Sequence, residues 1–109
     1  MPYYYNATDR QAKQLIEGIQ ARTFWGANML MAVVDLDAGA VLPAHSHPHE
    51  QAGIVLEGEL DFVIGGEARR LQPGDLYIIP GGVVHSVTVG ADPARVLDIF
   101  SPVRTEYQY

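Results

Sequence analysis

Apolar and polar residues alternate through most of this chain, and the alternation stops at clusters that favour turns: Asp37-Ala38-Gly39, Glu57-Gly58, Gly65-Gly66, Gln72-Pro73-Gly74-Asp75, Pro80-Gly81-Gly82 and Gly90-Ala91-Asp92-Pro93. A period of two puts successive side chains on opposite faces of an extended backbone, and β-branched or aromatic residues fill most runs between the clusters. The pattern predicts strands over residues 19–25, 29–36, 52–56, 60–64, 76–79, 83–89 and 95–100. Residues 9–15, which open on an aspartate able to cap, are expected to form a short helical turn. Many short strands between Gly- and Pro-bearing turns predict an all-β barrel or sandwich.

Alternation also says where the chemistry points. In the last predicted strand Val96, Asp98 and Phe100 share one face, and Leu97 and Ile99 the other. If the first face lines the interior, a carboxyl lies inside the barrel, where it must find a partner or hold its proton more tightly than usual. Such a group is a candidate for acid–base work. An ion pair between Asp98 and Arg104 that ties down the end of the strand accounts for the same residues. The segment His45-Ser46-His47-Pro48-His49-Glu50-Gln51 holds three of the four histidines. His45 and His47 sit two apart, so on an extended segment both rings face one way and can chelate one ion. His85 stands among apolar neighbours in Val83-Val84-His85-Ser86-Val87. Two ligands make a poor metal site, so the pair taken alone reads as solvated and His85 as a core histidine.

At 109 residues, 48% hydrophobic and 18% charged, the chain reads as one domain, residues 1–109, able to close a single core. It has no cysteine, which removes disulfides and thiolate metal sites and fits a reducing compartment. A formal net charge of −6 argues against nucleic-acid binding through counterion release, and an anionic substrate would need local positive charge. The longest apolar run, residues 29–34, is far short of the ~20 residues of a membrane span, and the N-terminus, MPYYYNATDR, lacks a secretory signal. A cytoplasmic protein that engages no membrane is expected. Because residues 29–34 are apolar on both faces, an outer face of the barrel should also be covered, and a homodimer is the simple answer. Tyr3, Tyr4 and Tyr5 at one end and Tyr107 and Tyr109 at the other suggest termini that dock, whereas Arg69 and Arg70 read as a solvated hairpin arm.

Spacing over a longer range changes the reading of the histidines. Gly39-x5-His45-x-His47-x3-Gln51-x6-Gly58, followed by Gly74-x5-Pro80-x-Gly82-x2-His85, resembles the two sequence motifs of the cupin superfamily. With LQPGDLYIIPGGVVHS and LDIFSPVR added, residues 29 to about 104 are similar to the pectin-degradation cupins of the KdgF type. The resemblance implies a small jelly-roll β-barrel whose interior holds a divalent metal ion on His45, His47, Gln51 and His85. It implies an enzyme of isomerase type that converts cyclic 4,5-unsaturated monouronates, small anionic sugars from pectin or alginate breakdown, into their linear keto form. The family's functional aspartate, aromatic and arginine match Asp98, Phe100 and Arg104 in the pattern D-x-F-x3-R.

Two positions depart from the family pattern. Gln51 stands where a glutamate is usual, and Val89 where an asparagine often ends the second motif. A neutral amide leaves the charge of a bound ion uncompensated, so such a site should favour an anionic oxygen from the substrate. Pro48 breaks the parity count after His47, which keeps His49 and Glu50 as rivals to Gln51, preferred on motif register. Three imidazoles and an amide suit nickel, zinc, iron or manganese. Two other functions fit the same residues, a metal-dependent cupin dioxygenase and a non-catalytic sugar-binding cupin.

Overall fold

The computed structural model describes residues 3–109, with strands β1 (Lys13–Ile16), β2 (Ile19–Trp25), β3 (Leu30–Leu36), β4 (Val41–His45), β5 (Glu50–Glu57), β6 (Leu60–Ile64), β7 (Glu67–Leu71), β8 (Leu76–Ile79), β9 (His85–Val89) and β10 (Ala94–Ser101). The order β1-β2-β3-β10-β5-β8 makes a six-stranded sheet and β4-β9-β6-β7 a four-stranded one, all neighbours antiparallel. The chain passes repeatedly from one sheet to the other, and both inner faces feed one core that joins Val34, Val55 and Val96 to Leu60, Phe62 and Val87. Every expected strand is present, and the all-β barrel with it.

Three strands were not expected, and one expectation fails. Residues 9–15 are not a helical turn. A 3₁₀ turn covers Ala7–Asp9, closed by a reciprocal cap in which the Asn6 side chain accepts from the Thr8 N–H and Asp9 accepts from the Asn6 N–H at 2.8 Å. The chain then extends as β1, because Gly18, with φ of +80°, turns it back to pair with β2. β4 carries Pro43 and an irregular register between Leu42 and His45, and β7 is exposed except at Leu71. Both lie at sheet edges, where proline and charge are tolerated. On β6 and β7 the solvated arginine arm is as expected, with Arg70 paired to Asp61 across the hairpin at 3.1 Å.

Register decides what the interior contains. Val34, Val96 and Val55 lie abreast on β3, β10 and β5 and form an apolar layer. The next inward layer is Ala32, Asp98, Gly53 and Tyr77, and the one after it Leu30, Phe100, Gln51 and Ile79. On the facing sheet His45, His85 and Ile64 are in register. Polar side chains therefore gather toward one end of an otherwise apolar barrel.

The termini dock in part. The Thr23 hydroxyl donates to the Tyr107 carbonyl at 2.6 Å, and Tyr5 packs on Phe24 with ring centroids 5.0 Å apart, but Tyr3 and Tyr4 are exposed.

Candidate metal centre

His45 ends β4, His47 lies in the bend before β5, and His85 opens β9, where register sets it opposite His45. The ring centroids are 4.2 Å apart for His45 and His85, 5.0 Å for His47 and His85, and 5.9 Å for His45 and His47. One nitrogen of each lies within 4.8 Å of the others. The bend is held from the second motif. The Gly82 N–H donates to the His47 carbonyl at 2.8 Å, and a Cβ on Gly81 would meet the Pro48 carbonyl oxygen at 2.4 Å. Only glycine allows so close an approach, and through it two distant segments bring their histidines together.

All three rings are oriented by the same device. Nδ1 lies 2.9 Å from the Pro43 carbonyl oxygen in His45, 3.0 Å from that of His49 in His47, and 2.9 Å from that of Val83 in His85. A carbonyl only accepts, so each Nδ1 carries a proton, which in a neutral ring leaves the lone pair on Nε2. Burial lowers the pKa of His47 and His85, and the Arg104 charge lowers that of His47 further, which holds both in the neutral form a metal requires.

Gln51 lies beside this group. It is buried, and its Oε1 lies 3.0 Å from Nε2 of His47. With the His47 proton on Nδ1, the two atoms face each other lone pair to lone pair, an arrangement a shared cation would stabilise. Asp98 lies one inward layer away on the neighbouring strand and lines the same cavity. Three imidazole nitrogens and an amide oxygen, all neutral, fit a divalent transition metal. Of the rivals, Glu50 is exposed, and His49 is half-buried with its Nδ1 unpaired and falls outside the group of three converging histidines.

Asp98 lies inside the barrel, on the face it shares with Val96 and Phe100. Burial pushes its carboxyl up to about 6, against the lowering effect of hydrogen bonds from Tyr77 and Gln51 and of the Arg104 charge. The Tyr77 hydroxyl, its own pKa raised by burial and then by Asp98, keeps its proton and donates it to Asp98 Oδ1 at 2.5 Å. Tyr77 and Asp98 sit on strands either side of β5, and the ring crosses over Gly53 to make this bond. A Cβ at Gly53 would lie 2.2 Å from that ring. Gly53→Ala is therefore expected to cost about 1–3 kcal/mol, the usual range for overpacking. A lower urea midpoint at constant slope would report it, and an unchanged midpoint would mean that the ring does not lie there.

The ion pair between Asp98 and Arg104 does not form. Arg104 Nε instead donates to Glu106 Oε1 at 2.7 Å, because the 3₁₀ turn Thr105–Tyr107 folds Glu106 back onto it. The guanidinium lies 4.0 Å from the Tyr107 ring centroid and 5.1 Å from that of Phe100, two faces that attract a cation. Phe100 is buried and meets His47 edge-on at 5.7 Å. A single cavity of about 50 Å³ is lined by His45, Gln51, His85, Asp98, Phe100 and Arg104 among others. Tyr77 and Glu106 were not anticipated. The hint for Tyr77 was a hydroxyl at an inward position of a strand, where a polar group needs a partner.

The cupin domain family matches this chain over residues 32–100. The pectin degradation protein KdgF of Dickeya dadantii (strain 3937) is 29% identical over 109 residues, which cover 98% of this chain and 99% of that protein. The solved structure of KdgF from Halomonas sp. matches with a TM-score of 0.90 at 29% identity, over 97% of this chain and 98% of the other. An RmlC-like cupin from Shewanella frigidimarina NCIMB 400 matches in fold, with a TM-score of 0.91 at 22% identity over 98% and 96% of the two chains. A barrel of this topology, a family match over most of it and a likeness to KdgF along nearly the whole chain lead to one conclusion: the protein belongs to the cupin family.

Proposed function

We propose that this cupin is a metal-dependent enzyme that converts cyclic 4,5-unsaturated monouronates into their linear keto form. One observation carries the reading: a buried acid, a cation and a cluster of metal-binding donors line the same cavity. The name of its relative KdgF, a pectin degradation protein, supports a sugar acid as the substrate. His45, His47, Gln51 and His85 would hold the ion, which when bound supplies Lewis acidity toward a negatively charged oxygen.

The remaining residues divide the work. Glu106 occupies Nε of Arg104, so the outer nitrogens of the fork are left to receive the substrate carboxylate in two parallel bonds. Phe100 and Tyr107 hold the guanidinium in place and exclude water from one side. In the net reaction the anomeric hydroxyl loses a proton, the ring carbon–oxygen bond breaks, and the enol double bond becomes a ketone as its carbon gains a proton. Asp98, with its carboxyl raised toward neutrality, takes the first proton and returns it to carbon.

The test follows the vinyl proton of unsaturated galacturonate by NMR. Its signal is expected to disappear faster with protein than without, at a rate independent of dissolved oxygen, and a chelator should restore the uncatalysed rate. Acceleration that survives full removal of metal would refute the metal's part, and no acceleration would refute the activity.

We further propose that the protein is a homodimer. On the outer face of the larger sheet Val33, Leu97, Ile54 and Leu76 lie abreast, followed by Met31, Ile99, Ala52 and Ile78, and Leu76 and Ile78 are 74% and 66% exposed. An uncharged stripe of this kind is complementary to itself about a two-fold axis. Light scattering is expected to give twice the 11.9 kDa chain mass for the wild type and the single mass for Ile78→Asp. A monomeric wild type would exclude the proposal.

A further inference from the structure

We infer that Tyr77 is a positioning residue that sets Asp98 for proton transfer, an inference that rests on the acid–base part given to Asp98 above. The ring of Tyr77 is clamped on two sides, by the backbone of Gly53 beneath it and by Phe62 of the facing sheet with centroids 4.6 Å apart. A phenylalanine would fill the same space, so only the hydroxyl distinguishes the residue present. Buried, that hydroxyl needs an acceptor, and Asp98 Oδ1 is the partner it meets, at 2.5 Å.

The consequence falls on the carboxyl. With Oδ1 held by the Tyr77 hydroxyl, Asp98 is kept from turning about its Cβ–Cγ bond, which leaves Oδ2 for the proton it exchanges. A proton carrier that must both take and return a proton works from one fixed geometry, and loss of that geometry slows the chemical step more than it weakens binding. Gly53 belongs to the same device. In the inward layer it stands between Asp98 and Tyr77, and any side chain there would block the bond.

The experiment compares Tyr77→Phe with the wild type, both metal-loaded, on unsaturated galacturonate. Turnover number is expected to fall about 10- to 100-fold, the effect of one hydrogen bond to a charged group. KM and metal content should stay within about twofold and the melting temperature within a few degrees, which separates positioning from a structural defect. A downfield hydroxyl proton resonance present in the wild type, and lost in both Tyr77→Phe and Asp98→Ala, reports the bond without any need for turnover. Unchanged turnover in Tyr77→Phe, with Asp98→Ala inactive, would overturn the role of Tyr77 and leave that of Asp98 standing. Normal turnover in both variants would overturn the two together. A rise in KM with turnover number held would also overturn the inference, since it would make Tyr77 a binding residue.

Discussion

His85→Ala is expected to empty the metal site and return uronate ring opening to its uncatalysed rate. His85 is 2% exposed, opens β9 opposite His45, and donates from Nδ1 to the Val83 carbonyl, which leaves Nε2 for the cluster. Loss of even an outer hydrogen-bond partner of a ligand typically costs about 10- to 100-fold in metal affinity, so loss of the ligand itself should exceed about 100-fold. Metal content after dialysis against low metal measures this directly, with metal-stripped wild type as the reference for folding. Retention of metal at the wild-type affinity would remove His85 from the site and, with it, the meeting of the two motifs on which the functional reading rests.

Asp98→Asn is expected to slow turnover by about 10² to 10⁴, the usual contribution of a positioned acid or base. The substitution keeps the size of the side chain and an oxygen that can accept from Tyr77, while removing the group that carries the proton. Metal content should hold, because Asp98 stands outside the donor cluster. Wild-type turnover in this variant would refute proton transfer by Asp98. A parallel loss of metal would instead show that its main work is to orient the Gln51 amide.

Much of the site could be read from local pattern. Parity placed Val96, Asp98 and Phe100 on one face without saying which way that face points, and the structure has all three buried. The motif glycines Gly39, Gly58, Gly74 and Gly82 all have φ between +74° and +94°, which other residues rarely adopt. Motif register also favoured Gln51 over its rivals, and the structure has its oxygen beside His47. The edge strands were harder. β4 contains a proline and β7 is almost wholly exposed, so their extended form comes from pairing with β9 and β6 and not from a pattern of their own. The helical expectation for residues 9–15 failed for the same reason, since pairing with β2 outweighed a weak local preference.

The partners of the polar side chains were out of reach. Arg104 and Asp98 have opposite charges six residues apart, yet a 3₁₀ turn gives the arginine to Glu106 and the register of three strands gives the aspartate to Tyr77. Side-chain period and turn chemistry act over a few residues, so a chain read alone can say which face a group occupies and where the backbone reverses. Which groups then touch depends on the register between strands far apart in the chain. Packing of the whole core sets that register, and a slip of one residue would turn a strand's inward side chains outward.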